Sequence, residues 1–175
     1  NIYIGVDLAY ESTASSDYQM IMVIGIDSDR NIYVVDYMRE HIPLYDMPEE
    51  IFKYAKEYSP VKRVNVEHVA PGVALGVRPP TGIKKEDRLE SLLAPIVNRR
   101  KMFIKRKHTA LVDEMFQFPK GKNDDVLDGL WYAVNKSRPP ISKKFEASEF
   151  KQDKTKSHKV ETVKRTISWI TGQKI

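Results

Sequence analysis

The apolar positions of the first forty residues follow the patterns of β-strands. Asn1–Leu8 is a short β-rich run, Gln19–Ile26 is apolar at nearly every position, and Asn31–Met38 follows a polar turn at residues 27–30. An eight-residue apolar run indicates a strand that is buried on both faces, at the centre of a sheet. Short connections between successive strands predict an antiparallel meander.

The apolar period then changes to that of a helix. Pro48 suits a first helical turn and Pro60 ends the pattern, while the apolar stripe between them comprises Ile51, Tyr54, Ala55 and Tyr58. Val61–His68 alternates again and predicts a fourth strand, which leads into an irregular Gly- and Pro-rich loop at Ala70–Gly82.

The second half of the chain alternates helix, strand and helix. A second helix begins at about Lys85, and Pro95 within it predicts a kink or an early end. Met102–Ile104 is a short fifth strand, a third helix covers roughly Thr109–Phe116, and a fourth helix, capped by Asn123 or Asp124, buries Leu127, Leu130, Trp131 and Val134. The predicted fold is an α/β, mixed five-stranded sheet, with three antiparallel strands followed by parallel additions and helices on both faces.

Length and composition bound the class of protein. The chain has 175 residues, a formal net charge of +5 and no cysteine, which excludes disulfides, a thiol nucleophile and a Cys-ligated zinc site. No apolar run reaches the roughly 18 residues of a membrane span, and no signal pattern opens the chain. We expect a soluble intracellular protein with one domain at residues 1–141. Residues 142–175 form a basic, partly flexible tail in which a terminal helix could form.

The net charge is unevenly distributed. Residues 1–77 carry 6 basic and 12 acidic groups, whereas residues 78–107 carry 10 basic and 3 acidic groups. Clustered positive charge suggests a polyanionic partner, although a solvated basic face is an equally ordinary explanation when nothing else supports one.

Five carboxylates then become candidates for chemistry. Asp7 lies within the first strand, Glu67 near the end of the fourth, and Asp124, Asp125 and Asp128 in the first turns of the fourth helix. Each has an ordinary explanation, such as strand-end charge, helix cap or complement to the helix dipole. Together they can converge at one end of a mixed sheet, where clustered carboxylates repel each other unless cations neutralise them. Such oxygen ligands suit Mg²⁺ or Mn²⁺, and two such ions can cleave a phosphodiester.

These motifs resemble the nuclease domain of the large terminase, the DNA-packaging protein of tailed bacteriophages, which has an RNase H-like fold. The matching segments are Ile4–Ala9, Ser16–Tyr18, Val66–His68 and, most specifically, Phe118–Leu130 (FPKGKNDDVLDGL). Gly129 stands where the family usually has Ala, and Asn123 where it often has His. The resemblance covers about residues 1–137.

The resemblance implies a metal-dependent endonuclease. Asp7 would be the central ligand shared by two Mg²⁺ or Mn²⁺ ions, and Glu67 a ligand to one of them. Related resolvases favour Asp125 and Asp128 as the remaining ligands, with Asp124 as cap or auxiliary ligand; which of the three bind metal directly stays open. Asp17 is a candidate peripheral acid.

Basic residues supply an expected DNA path with weak sequence preference, because backbone charge rather than aromatic stacking would bind the duplex. Its members flank the loop after the Glu67 strand and extend along the fifth strand and the Phe118 motif: Arg78, Lys84, Lys85, Arg88, Arg99, Arg100, Lys101, Lys105, Arg106, Lys107, Lys120 and Lys122. The stretch from Arg99 to Lys107 could instead be a charged, solvated edge strand.

The expected substrate is double-stranded concatemeric viral DNA in the cytoplasm of the infected host. The expected partners are a packaging ATPase domain preceding this one, since no GxxxxGK[ST] motif occurs here, and the portal and small terminase subunit. Alternatives are a related RNase H-like nuclease, a junction resolvase, or a non-catalytic DNA-binding or docking module. An actin-like ATPase is disfavoured because Ala9-Tyr10-Glu11 lacks the required Gly-rich turn.

Overall fold

The structure, a computed structural model, describes residues 1–9, 18–67, 80–121 and 123–141. The strands are β1 (Ile2–Asp7), β2 (Gln19–Ile26), β3 (Ile32–Glu40), β4 (Val61–Val66) and β5 (Met102–Ile104), and the helices are α1 (Met47–Glu57), α2 (Lys85–Asn98), α3 (Thr109–Gln117) and α4 (Asp125–Val134). The predicted order of strands and helices is confirmed. The predicted tail at 142–175, with its terminal helix, lies outside the described residues.

The strands form one mixed sheet in the order β4-β1-β2-β3-β5. β1, β2 and β3 are antiparallel neighbours, while β4 joins β1 and β5 joins β3 in parallel. The fold prediction is therefore confirmed, including the central, fully buried position of β2. Because β1, β3, β4 and β5 run in one direction, the residues that follow Asp7 and Val66 leave the sheet at the same end.

Helices cover both faces of the sheet. One face packs Ile4, Val6, Ile21 and Val23 against α1. The other face packs Tyr3, Met20, Met22 and Ile24 against α2, α3 and α4. Strand alternation consequently places Gly5 and Asp7 on the α4 face.

Two glycines let α4 approach the sheet closely. A Cβ atom at Gly5 would lie 2.2 Å from the Ala133 nitrogen and 2.3 Å from the Gly129 carbonyl oxygen, both of them helix backbone atoms. A Cβ at Gly129 would lie 2.6 Å from Cγ of Met20. The Met20 side chain thus fills the space that a methyl group at position 129 would need.

Pro95 does not break α2 early. The helix continues through Pro95 and ends three residues later at Asn98. Arg100 then adopts a left-handed conformation with φ of 55°, and the Lys101 N–H donates to the Ile96 carbonyl at 2.9 Å. This is a Schellman termination with Arg in the position that Gly usually takes.

Candidate active site

The register of the strands sets out a row of three side chains under α4. Asp7 pairs with Met20, and Met20 pairs with Arg39, so the three lie side by side on β1, β2 and β3. Neighbouring strands are roughly 4.8 Å apart, which places Arg39 roughly 10 Å from Asp7. The first turns of α4 lie over this row, with Gly129 above Met20.

Asp7 and Glu67 form the base of a carboxylate cluster. The Glu67 N–H donates to the Val6 carbonyl at 2.9 Å, which extends the pairing of β4 with β1 and sets the two side chains side by side. Burial raises the pKa of Asp7 well above its ordinary value, and a hydrogen bond with Glu67 and the charges of Glu67 and Asp128 raise it further. An ionised Asp7 therefore requires additional positive charge at this point.

Asp128 reaches the same cluster from α4 and is almost completely buried. Arg88 donates to its Oδ1 at 2.6 Å, and the Lys85 ammonium contacts its Oδ2. The Arg88 guanidinium lies 4.6 Å from the centre of the Trp131 ring, which fixes it within the core. Burial raises the pKa of Asp128 although Lys85 and Arg88 oppose the shift.

Asp124 shares Lys85 with Asp128. The Lys85 Nζ lies 2.8 Å from Asp124 Oδ1, so one ammonium bridges two carboxylates that are one helical turn apart. Burial alone would lower the pKa of Lys85, but the charges of Asp128 and Asp124 and its hydrogen bonds to them raise it. The structure therefore gathers Asp7, Glu67, Asp124 and Asp128 into one group, which we call the carboxylate cluster.

Asp125 faces another strand. Its Oδ2 accepts a hydrogen bond from Arg39 Nη2 at 3.0 Å, and Glu114 Oε1 lies 3.9 Å from the same nitrogen. The helix crosses the strands, so Asp125 lies towards β3 and Asp128 towards β1. The structure thus separates the pair that the resemblance favoured and brings Asp124 to Asp128 instead; a metal-ligand role for Asp125 stays a prediction.

Glu114, on α3, is a structural residue of this site that the sequence patterns do not identify. Its Oε2 accepts the N–H groups of Val126 and Leu127 at 2.9 and 3.1 Å, while the predicted cap residue Asp124 makes no capping hydrogen bond with its side chain. Burial raises the pKa of Glu114 to about 7, against the opposing effect of those N–H groups and Arg39. The available signal is the position of Glu114 three residues after Leu111, on the face of α3 that is buried.

The other end of α4 is also fixed by β4. The buried Asn65 Nδ2 donates to the carbonyls of Tyr132 and Asn135 at 2.8 and 2.9 Å, which satisfies two carbonyls at the helix end. The Tyr132 ring is fully buried beside the carboxylate cluster, and burial together with the charges of Glu67 and Asp7 raises its pKa. α4 is consequently held at both ends by side chains of other elements.

The carboxylate cluster fits a divalent cation by donor type and by charge. When all four carboxylates are ionised, they carry two more negative charges than Lys85 and Arg88 balance, and without further positive charge burial favours the protonated form of Asp7. Among the described residues, however, no group of three or more acidic or histidine side chains is arranged to hold a metal ion. Both oxygens of Asp128 contact basic side chains, so a metal ion binds Asp128 only after one of these contacts opens, whereas Asp7 and Glu67 form no salt bridge among the described residues.

The residues of the expected DNA path lie in separate places. Lys85 and Arg88 lie at the carboxylate cluster, Lys84 is exposed just before α2, and Lys120 is exposed after α3. Lys105 and Lys107 contact the Val35 carbonyl and Asp36, at the middle of β3, with exposed Arg106 between them.

Arg99, Arg100 and Lys101 precede β5 at the opposite end of the sheet, because the Lys101 carbonyl accepts the Ile32 N–H. Asp17, Arg78 and Lys122 lie outside the described residues, and DNA binding by the whole set stays a prediction.

Comparison with known proteins identifies the fold. No protein-family model matches the sequence, and no curated protein matches it. The crystal structure of the large terminase nuclease from thermophilic phage G20c, with bound zinc, is similar with a TM-score of 0.60 and 17% identity, over 78% of this chain and 81% of that one. The chain has the fold of large terminase nucleases. The P22 large terminase nuclease domain is similar too, with a TM-score of 0.53 and 15% identity, over 75% of this chain and 79% of that one.

Proposed function

We propose that this chain is a metal-dependent DNA endonuclease that cuts viral DNA during genome packaging. The observation that carries the proposal is the convergence of four carboxylates, Asp7, Glu67, Asp124 and Asp128, from three elements onto only two basic side chains, in a fold shared with terminase nucleases. The G20c nuclease was crystallised with zinc. Oxygen donors of this kind favour Mg²⁺ or Mn²⁺, which we propose as the working ions.

In this proposal, Asp7 and Glu67 provide carboxylate oxygens from the sheet, and Asp128 and Asp124 provide them from α4. Divalent cations at such a site lower the pKa of a water nucleophile and stabilise charge on the leaving oxygen of the phosphodiester. Arg88, wedged against Trp131, orients Asp128. Gly5 and Gly129 keep α4 close enough to the sheet for the two groups of carboxylates to meet.

We further propose that the substrate is concatemeric double-stranded DNA, bound with weak sequence preference through its phosphates. By the same analogy, a packaging ATPase domain, the portal and the small terminase subunit would be partners, in the cytoplasm of the infected host. A junction resolvase or RNase H-type specificity is the nearest rival. It is tested by offering the protein a linear duplex, a four-way junction and an RNA–DNA hybrid of the same length.

The experiment that tests the proposal is plasmid cleavage in Mn²⁺ or Mg²⁺ by the wild type and by Asp7→Asn. We expect wild-type nicking and linearisation that stop on addition of EDTA, and none by Asp7→Asn. Asp113→Asn, which removes an exposed carboxylate on α3 away from the cluster, is the matched control and keeps full activity. Full cleavage by Asp7→Asn would refute the proposal.

A further inference from the structure

Lys85 and Arg88 neutralise Asp128 in different ways. The Arg88 side chain is only 9% exposed and packs on Trp131. The Lys85 side chain is 42% exposed and meets the cluster only through its ammonium, between Asp124 and Asp128. An ammonium on a flexible stem withdraws into water easily, whereas a guanidinium held in the core does not. Lys85 is therefore the exchangeable cation of the carboxylate cluster.

The charge balance of the carboxylate cluster determines how many divalent ions it can hold while Lys85 is in place. With Lys85 in place and all four carboxylates ionised, two negative charges are uncompensated, and one divalent ion balances them. A second divalent ion needs the oxygens of Asp124 and Asp128 that Lys85 occupies. Two divalent ions and the ammonium together would overcharge the site, so the second ion and Lys85 exclude each other.

We propose that Lys85 is an internal competitor of the second metal ion, so that the cluster binds one divalent ion while Lys85 is in place and two after it withdraws. The inference rests on the proposed function, since it assumes that the cluster is a metal site. Withdrawal also releases the Lys85 ammonium to contact a DNA phosphate, which would link second-ion binding to substrate binding.

The test is Mn²⁺ binding to the whole 175-residue chain without DNA, measured by calorimetry and by the electron paramagnetic resonance signal of free Mn²⁺. Lys85→Met should bind a second ion at least about tenfold more tightly than the wild type, because a unit charge about 4 Å away has been removed. Lys84→Met removes the same charge from the neighbouring exposed residue, and we expect it to bind as the wild type does. Lys85→Arg keeps the positive charge and should bind Mn²⁺ as the wild type does.

Each outcome decides one question. Equal Mn²⁺ affinity and stoichiometry in Lys85→Met and Lys84→Met, with the wild type binding Mn²⁺, would overturn the role of Lys85 and leave the proposed function standing. Absence of Mn²⁺ binding in all variants would overturn the metal site itself, and with it the proposed function. Because Lys85 is half-exposed, we expect Lys85→Met to fold, and its larger Mn²⁺-induced rise in melting temperature provides a second measurement.

Discussion

Two aspartates three residues apart in α4 have different surroundings. Asp128 reaches the carboxylate cluster on β1, and Asp125 forms an ion pair with Arg39 on β3. The motif in the sequence predicts acidic residues at the start of this helix, but not which strand each one faces. That depends on the angle at which the helix crosses the sheet, which no periodicity in the sequence encodes.

Asparagine substitutions distinguish these two roles. Asp128→Asn should lower metal-dependent plasmid cleavage at least about 100-fold. Removing a group that only supports a metal ligand already lowers activity up to about 100-fold, and removing the ligand itself should cost at least as much. Asp125→Asn should keep cleavage within a few-fold but destabilise the fold by about 2 kcal/mol, because Arg39 loses its close carboxylate partner. Cleavage assays and urea unfolding check both values. Loss of cleavage in Asp125→Asn at unchanged stability would instead support the metal-ligand role that the resemblance predicts for Asp125.

Glu114 makes the stability depend on pH. Its pKa is about 7 in the folded state and 4.5 as an ordinary glutamate, so between these values the folded protein holds a proton that the unfolded chain has released. The resulting stability is fully present below pH 4.5 and is lost as the pH rises through 7. This difference between the two pKa values corresponds to about 3 kcal/mol in the free energy of unfolding.

Glu114→Gln should remove this dependence because glutamine keeps the oxygen acceptor but does not titrate. We expect urea unfolding to show that the free energy of unfolding falls between pH 5 and pH 8 by up to about 3 kcal/mol more in the wild type than in the variant. Parallel losses in the two proteins, or a smaller loss in the wild type, would show that the pKa of Glu114 is not raised.

At the scale of the elements, the sequence predicts much of the fold. Strand alternation and helical periodicity identify β1 to β5 and α1 to α4, and the unbroken apolar run of β2 indicates its central position. The capping of α4 by Glu114 and its attachment by Asn65 depend on contacts between residues 12 and 67 to 70 positions apart. Such contacts arise only when the elements pack, so local patterns do not reveal them.

The docking of α4 on β1 predicts unequal effects of two glycine substitutions. Gly5→Ala should destabilise the protein by about 3 kcal/mol, since its Cβ meets helix backbone atoms that cannot move aside. Gly129→Ala should destabilise the protein less, by about 1 to 2 kcal/mol, because its Cβ meets the buried Met20 side chain rather than backbone and alanine favours the helix. Urea unfolding compares the two, and equal stability of Gly5→Ala and the wild type would refute the close approach of α4.

At the scale of the whole domain, positive charge gathers at the end of the sheet opposite the carboxylate cluster. A groove of about 730 Å³ lies there, with an apolar floor and Arg30, Arg99, Lys101, Lys136 and Arg138 along its sides. Within the described part of the chain, none of these five side chains forms a salt bridge. The acidic residues Glu86, Asp87 and Glu90 are exposed on α2 between this groove and the cluster. Among the described residues the basic side chains therefore lie in separate groups, and DNA binding along the predicted path stays a prediction.

If this groove contributes to DNA binding, charge reversal there should weaken DNA binding and leave metal binding at the carboxylate cluster unchanged. Arg99→Glu with Arg138→Glu should lower the affinity for a 30-base-pair duplex, measured by fluorescence anisotropy without divalent ions. The slope of log K against log salt should decrease by roughly 2, one unit for each lost phosphate contact. Lys56→Glu with Lys62→Glu makes the same change in charge at exposed positions on α1 and β4 and is the control. Equal affinities in the two double variants would exclude the groove from the DNA path.

The central claim is that the carboxylates around Asp7 hold the catalytic metal. Its most direct test is a crystal of the active protein soaked in Mn²⁺, with anomalous diffraction recorded to locate the ions. The account predicts an anomalous peak bound by Asp7 together with Glu67 or Asp128, and no such peak in Asp7→Asn. Bound Mn²⁺ at a site that does not include Asp7, in crystals of protein that cleaves DNA, would contradict it.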